Sequence, residues 1–194
     1  YTITATNTGG TDTASVTIVV NDVVPTITYS STSLTLTRNT PMTTLTPTTG
    51  GGTITSWSVS PSLPAGLSLD SSTGAISGTP SAVTSSASYT ITATNTGGSD
   101  NATITIVVND IAPVISYSTS SFTLTKGTAM TTTSPTSTGG TVVTWSVSPS
   151  LPAGLSLDTS TGVLSGTPTA VTSSASYTIT ATNTGGTAVS YTHL

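Results

Sequence analysis

The chain has 194 residues, a formal net charge of -4 at pH 7 from two basic and six acidic side chains, and no cysteine. Nucleic-acid affinity rests mainly on Lys and Arg contacts to phosphates, so this composition argues against a nucleic-acid partner. The longest apolar runs, such as residues 16–20, are far shorter than the roughly 20 residues of a membrane-spanning helix, and the lack of Cys excludes disulfides and thiolate metal sites.

The first residues belong to a pattern that repeats along the chain. Tyr1, Tyr89 and Tyr177 stand 88 residues apart. A period this long exceeds the about 20 to 50 residues of solenoid repeats and is typical of a small domain that folds alone. We therefore predict three parts: a C-terminal strand hairpin of a truncated preceding repeat in residues 1–22, a complete immunoglobulin-like repeat in 23–110, and a repeat truncated in its last strand in 111–194.

Two linkers divide these parts, and each reads Asn-Asp-x-x-Pro, at residues 21–25 and 109–113. Proline lacks the N–H group that a strand ladder needs, so the preceding strand ends there. A short connector that contains proline also restricts the angle between domains more than a Gly/Ser linker does. The linkers therefore favour an extended array of stiffly joined domains.

Within a repeat, apolar residues alternate with polar ones. This pattern predicts an all-β fold, with about seven short strands per repeat in an antiparallel β-sandwich. Turns rich in Gly, Ser and Thr separate the strands, and no segment shows a sustained helical period. The alternating apolar positions of the complete repeat are, in chain order, Leu34, Leu36, Trp57, Val59, Leu67, Leu69, Tyr89, Ile91, Ala93, Ala102, Ile104, Ile106 and Val108.

The segment P-S-L-P-A-G-L-S-L-D occurs twice, ending at Asp70 and at Asp158. Its leucines are apolar anchors, and Gly66 is expected to take a backbone conformation that other residues resist. Asp70 opens a tight connection, in which a short carboxylate accepts hydrogen bonds from the N–H groups two and three residues on and Gly74 takes positive φ. We therefore interpret Asp70 as a turn cap before Ile76 returns to the core, and not as a catalytic carboxylate.

These segments resemble the He_PIG family of immunoglobulin-like modules. The resemblance is carried by W-S-V-S-P-S-L-P-A-G-L-S-L-D and T-G-A-I-S-G-T-P at 57–80, by their copies at 145–168, and by Y-T-I-T-A-T-N-T-G-G at 89–98. It implies a tandem cell-surface or secreted module of prokaryotes with no activity of its own. The same segments are similar to cadherin-type repeats, which place a D-x-x-T-G-x-I turn and an N-D-x-x-P linker in similar order.

The cadherin resemblance implies calcium at the junction between domains. Calcium takes about six to eight oxygen ligands, several of them carboxylates, and the junction offers Asp110, Asn109 and backbone carbonyls. Asn95 stands where the cadherin pattern has an aspartate. Asp110 and Asn109 are therefore the candidate metal ligands, and the alternative is that Asp110 only solvates and ends a strand. No other cofactor is expected.

The chain lacks the residues that catalysis needs. Sugar hydrolysis uses paired carboxyls, and a nucleophilic triad needs a base beside Ser, Thr or Cys. The only histidine is His193, and the two cations, Arg38 and Lys126, occupy equivalent turn positions. We therefore predict that the protein is not an enzyme and has no catalytic residues.

Two functions agree with this sequence. The leading hypothesis is a structural or adhesin stalk module of an extracellular prokaryotic repeat protein, secreted or on the cell surface, with neighbouring copies of the same repeat as partners. The alternative is a carbohydrate- or matrix-binding accessory module of a secreted enzyme, with exposed Tyr29, Tyr117 or Trp145 as stacking platforms for a surface glycan.

The C-terminus departs from the repeat. The expected last strand is replaced by A-V-S-Y-T-H-L, and residues 189–194 resemble the translation of a transposase adapter used in sequencing libraries. We therefore predict that residues 189–194 are adapter-derived, in a fragment of a longer protein, and that they pair poorly. Residues 1–20 are expected to form a hairpin with little packing, which completes the truncated repeat of another molecule by strand exchange.

Overall fold

The computed structural model describes all 194 residues and contains strands but no helix. None of its elements is therefore a helix that could cross a membrane. The predicted all-β fold is confirmed. The strands are β1 (Thr2–Asn7), β2 (Gly10–Ser15), β3 (Thr26–Tyr29), β4 (Ser33–Thr37), β5 (Pro47–Gly50), β6 (Ser56–Ser60), β7 (Leu67–Leu69), β8 (Ile76–Gly78), β9 (Thr84–Asn95), β10 (Gly98–Asn109), β11 (Pro113–Tyr117), β12 (Pro135–Gly139), β13 (Thr144–Ser148), β14 (Leu155–Leu157), β15 (Leu164–Gly166), β16 (Ser176–Asn183) and β17 (Gly186–His193).

The first two strands form an antiparallel hairpin that stands apart from the rest of the chain. Its register runs from Thr2 opposite Ser15 to Asn7 opposite Gly10, and every residue of both strands is exposed. The prediction of a hairpin with little packing of its own is confirmed. The apolar residues after it lie in no strand, so they also remain exposed.

The next part of the chain, which we call the first unit, is a β-sandwich. One layer is the sheet β4-β10-β9-β6, and the other contains the pairs β3-β5 and β7-β8, joined by a bridge between Leu45 and Ile76. Period-two alternation turns one face of each strand inward, so the apolar set predicted from the sequence fills the space between the layers. The buried core comprises Ile27, Tyr29, Leu45, Trp57, Ile76, Tyr89, Ile91, Ala93, Ile104, Ile106 and Val108.

One pairing in this unit differs from the antiparallel expectation. Strand β4 runs parallel to the end of β10, with Leu34 opposite Ile106 and Leu36 opposite Val108. The chain leaves β3 in one layer, bends at residues 30–32 and continues as β4 in the other layer, where it meets β10 running the same way. The unit has eight strands, β3 to β10, where about seven were predicted.

Residues 111–194, the second unit, repeat this architecture with a smaller core. Its sheet is β13-β16-β17, faced by the pairs β11-β12 and β14-β15. A bridge between Thr133 and Leu164 joins the facing pairs, as the Leu45–Ile76 bridge does in the first unit. The buried core contains six residues, Ile115, Met130, Trp145, Leu164, Ile179 and Ala181.

The prediction that residues 189–194 pair poorly is wrong. Strand β17 pairs antiparallel with β16 without interruption, from Gly186 opposite Asn183 to His193 opposite Ser176. The ladder is made of backbone groups, which any residue other than proline supplies, so side chains that depart from the repeat do not prevent pairing. The strand is shorter than its counterpart, with 8 residues in β17 against 12 in β10.

The altered side chains do change the core of the second unit. Thr192 stands 88 residues after Ile104, at the centre of the sandwich, and both side chains are almost fully buried. The Thr192 hydroxyl has no hydrogen-bond partner. A buried polar group without a partner costs about 1–3 kcal/mol, so this position weakens the second unit.

We predict that Thr192→Ile stabilises the second unit by about 1–3 kcal/mol, because it removes the unpaired hydroxyl and restores apolar contacts. The reciprocal change Ile104→Thr should destabilise the first unit by a similar amount. Residue-resolved amide exchange in increasing urea measures the change in stability of each unit, since β9 reports on the first unit and β16 on the second. A Thr192→Ile chain in which β16 exchanges as fast as in the parent would contradict the prediction.

Candidate functional site

The repeated segment ends in a turn that Asp70 organises. Its Oδ1 atom accepts hydrogen bonds from Ser72 N at 2.8 Å, Thr73 N at 3.1 Å and Ser72 Oγ at 2.6 Å. The Ser72 hydroxyl, followed by the two backbone N–H groups, lowers the pKa of Asp70 to about 2. Asp158 makes the same two backbone contacts in the second unit, and its pKa is lowered as well. The carboxylates are turn caps, as predicted.

Glycine is required at the far end of this turn. Gly74 has φ near 71°, and a Cβ atom there would lie 2.6 Å from the ring of Trp57. The carbonyl of Gly74 accepts a hydrogen bond from the Tyr29 hydroxyl at 2.6 Å. Gly66 is equally constrained, with φ near 90° and room for no Cβ beside the carbonyl of Thr79. Both predicted glycine roles are confirmed.

The aromatic residues proposed as sugar platforms are not exposed. Tyr29 is 9% exposed and Trp145 is 5% exposed. Tyr117 is partly buried, and its hydroxyl donates to the carbonyl of Gly162, just as Tyr29 donates to Gly74. Burial raises the pKa of each tyrosine to about 12. The stacking-platform prediction is therefore wrong for these residues, because the turn needs their rings in the core.

The junction between the two units is built on Asp110. Its backbone N–H donates to Thr184 Oγ1 at 2.9 Å, and its Oδ2 atom accepts a hydrogen bond from Thr141 N at 3.1 Å. Its Oδ1 atom accepts from Ile111 N at 2.8 Å. The linker residue is therefore fastened to two loops of the second unit, and Asp110 is only 7% exposed.

The first unit holds the same aspartate from the other side. Arg38 lies in the turn after β4, and its Nη2 atom is 2.9 Å from Asp110 Oδ1. The backbone N–H of Arg38 donates to the carbonyl of Asn109 at 2.8 Å. Asp110 is thus bonded to both units at once, which restrains the angle between them.

An asparagine completes the junction from the second unit. Asn183 Nδ2 donates to the carbonyl of Ile111 at 2.8 Å, and its Oδ1 atom accepts from Gly185 N at 2.8 Å and Gly186 N at 3.2 Å. Only glycine fits at position 185 of this hairpin turn, because the Cβ of any other residue would lie 2.0 Å from the carbonyl oxygen of Asp110. The linker backbone therefore lies against the end of the β16-β17 hairpin.

The contacts that the linker makes with the following unit recur at the junction before the first unit. Asp22 donates its N–H to Thr96 Oγ1 at 3.0 Å and accepts from Thr53 N at 2.9 Å, while Asn95 Nδ2 donates to the carbonyl of Val23 at 2.7 Å. Asp22 and Asn95 stand 88 residues before Asp110 and Asn183. The junction is thus a repeated device of the array.

Sequence reasoning placed Asp110 at the junction but missed the residues that hold it. The sequence places Arg38 only in a turn, and the cadherin resemblance marks Asn95 only as a position without its aspartate. T-N-T-G-G and N-D-x-x-P both recur at the 88-residue offset, but so does nearly every other segment of the repeat. The sequence therefore held no specific signal of the contact between them.

The calcium ligands predicted from the cadherin resemblance meet a different environment. Both oxygens of Asp110 already accept hydrogen bonds, and a guanidinium cation lies 2.9 Å from one of them. No group of three or more His, Cys, Asp or Glu side chains lies close enough to hold a metal ion. Asn109 contributes a carbonyl that already accepts the Arg38 N–H. This donor set does not fit calcium, which needs several free carboxylate oxygens. No measurement of calcium binding tests the junctional site, so it stays a prediction.

The comparisons with known proteins agree with this architecture. The family model described as "Putative Ig domain" matches residues 24–109 and 112–193. No curated protein sequence matches the chain.

Two solved structures illustrate the likeness in fold, and a third is a weaker match. The I-band fragment I67-I69 from titin is 17% identical, with 98% of this chain and 71% of that chain covered and a TM-score of 0.50. The N-terminal eight Ig domains of Down Syndrome Cell Adhesion Molecule are 16% identical, with 96% and 29% covered and a TM-score of 0.52. Human CDH23 EC21-23 is 14% identical, with 89% and 63% covered and a TM-score of 0.45. The chain thus spans less than two thirds of the last two.

The Asp70 turn generates a pH prediction. Ser72→Ala should raise the pKa of Asp70 from about 2 toward its ordinary value, because it removes the hydroxyl that lowers the pKa most. The stabilising contribution of Asp70 is present above its unfolded pKa of about 3.9 and is lost as the pH falls through about 2, so the variant should lose it at higher pH.

NMR titration of the Asp70 carboxyl group measures its pKa in the parent and in the variant. Ser160→Ala is the matched control, since the Ser160 hydroxyl does not contact Asp158, and an unchanged Asp70 titration in Ser72→Ala would contradict the assignment.

Proposed function

We propose that this chain, which belongs to the Ig-like family matched over both of its units, is a non-catalytic stalk segment of an extracellular prokaryotic adhesin or surface repeat protein. The observation that carries the proposal is the junction, where one aspartate is bonded to both units. The contacts of that aspartate to the following unit recur 88 residues earlier. A stalk needs successive domains to keep a constant angle. A repeated, hydrogen-bonded joint supplies that property.

The geometry of the joint matters more than the energy of its ion pair. Arg38 keeps 31% of its side chain exposed, and ion pairs near the surface contribute only about 0–1 kcal/mol after solvent screening. The restraint comes instead from the number of bonds around one short linker, three on the carboxylate and one on its own N–H. Breaking one bond leaves the others, so the joint resists bending in several directions.

The chemistry of the side chains supports a structural role. The six carboxylates form three pairs that stand 88 residues apart, and one of these pairs, Asp70 and Asp158, caps turns. His193 lies in the last strand, paired through its backbone with Ser176 and bridged to Ser121. Neighbouring copies of the repeat are the proposed partners.

The stalk proposal predicts a narrow distribution of distances between the two units. Because the chain has no cysteine, spin labels can be attached through Ser58→Cys and Ser146→Cys, at equivalent exposed positions. Double electron–electron resonance measures the distance between the two labels, and the distance distribution should show one narrow peak. Asp110→Ala should broaden it at least twofold, because the linker then loses its contacts to both units.

The matched control is Lys126→Ala, which removes a cation at the position equivalent to Arg38 but far from this junction. It should leave the distance distribution unchanged, whereas Arg38→Ala should broaden it. A parent chain with a broad distribution, or equal broadening by both variants, would count against a stiff stalk.

A further inference from the structure

The strands nearest the two linkers of the first unit lie side by side. β4 and the end of β10 pair in parallel through five residue pairs, from Ser33 opposite Thr105 to Thr37 opposite Asn109. The chain enters the unit from residues 21–25, ahead of β3 and β4, and leaves it directly after Asn109. The two linkers are therefore connected to opposite ends of one parallel pair.

This arrangement decides how a pulling force acts on the unit. A force applied through the two linkers draws β4 toward its first residue and β10 toward its last, so the strands must slide past each other. Sliding strains all the evenly spaced hydrogen bonds of a parallel pair together, whereas peeling breaks them one after another. β3, which lies between the first linker and β4, is drawn in the same way along β5, over four residue pairs. The unit thus meets the force with bonds that share it.

Arg38 fastens the end of the pair at which the second linker pulls. Its backbone N–H donates to the carbonyl of Asn109 at 2.8 Å, and its Nη2 atom lies 2.9 Å from Asp110 Oδ1. Asp110 is itself bonded to Thr141 and Thr184 of the second unit. The side-chain contact therefore joins the turn after β4 to the residue through which force arrives from the next unit.

We propose that the first unit is a force-bearing element and that Arg38 is one of the residues that carry the force. At equilibrium a partly exposed ion pair contributes little, because solvent screens it. When the strands slide, the ion pair breaks together with the hydrogen bonds between β4 and β10, so it adds to the force that the pair withstands. Forced unfolding follows the unfolding rate, so one substitution can change the unfolding force and leave the equilibrium stability almost unchanged.

This property goes beyond the stalk function and does not depend on it, since the strand order of one unit sets it. The chain has no cysteine, so no disulfide carries the force and hydrogen bonds must do so. The distance between labels on the two units tests the joint, and the unfolding force tests the strand pair. A chain with a flexible joint can still resist force, and a chain with a stiff joint can fail to.

Single-molecule pulling on the full chain tests the proposal, because handles can be attached at pairs of introduced cysteines. Val23→Cys with Ile111→Cys applies the force through the two linkers. Ser33→Cys with Thr103→Cys applies it at exposed positions at one end of the parallel pair, and so peels β4 from β10. The first geometry should give an unfolding force at least about twofold higher at the same loading rate, because several bonds must break together.

Arg38→Ala should lower the unfolding force when the chain is pulled through its linkers and leave it unchanged when β4 is peeled from the other end. Amide exchange of β9 in this variant should show nearly the equilibrium stability of the parent, because the ion pair is partly exposed. Lys126→Ala is the matched control, since it removes the equivalent cation of the second unit. It should leave both forces unchanged.

Three results would overturn the proposal. Equal unfolding forces in the two pulling geometries would show that the parallel pair does not carry the force. An unchanged force through the linkers in Arg38→Ala would show that Arg38 does not share it. An equal decrease in both geometries would show that Arg38 only stabilises the unit.

Discussion

The fold of each unit depends on a contact between three distant parts of the chain. Trp57 from β6 packs directly on Gly74, and the Tyr29 hydroxyl from β3 donates to the carbonyl of that glycine. The two aromatic rings fill the space between the layers. The hydrogen bond from Tyr29 gives the Gly74 carbonyl a partner in the turn that Asp70 caps. The same arrangement recurs around Gly162 in the second unit. Aromatic residues held in this way are unavailable for ligands.

Short polar side chains throughout this protein bind its own backbone. Asp70 caps a turn, Asn183 spans a hairpin end and the linker, and Asp110 joins the two units. A chain with so few charges has few ion pairs to stabilise it, and hydrogen bonds to backbone N–H groups satisfy donors that loops otherwise leave unpaired. Asp70 and Asp110 thus use the same kind of hydrogen bond, from a carboxylate oxygen to backbone N–H groups, to close a turn and to join two units.

The two units show how strongly a strand depends on its backbone and how strongly a core depends on its side chains. Strand β17 pairs in full register although its sequence departs from the repeat. Its side chains nevertheless change the unit: Thr192 brings an unpaired hydroxyl into the core, and Ala188 stands where Asp100 accepts a hydrogen bond from Ile27 N in the first unit. The hydrogen-bond ladder tolerates such substitutions, whereas a close-packed interior does not.

The sequence by itself determined the β-sandwich, the repeat, the Asp70 turn and the exposed hairpin, because alternation, turn residues and the 88-residue offset are local or periodic signals. Tertiary structure alone decided the parallel pairing of β4, the burial of Tyr29 and Trp145, and the bonding of Asp110 to Arg38 and Thr141. Periodicity shows that a residue lies on one face of a strand but not which partner covers that face. The partners of these residues lie in other layers or in another unit, and only the folded chain brings them together.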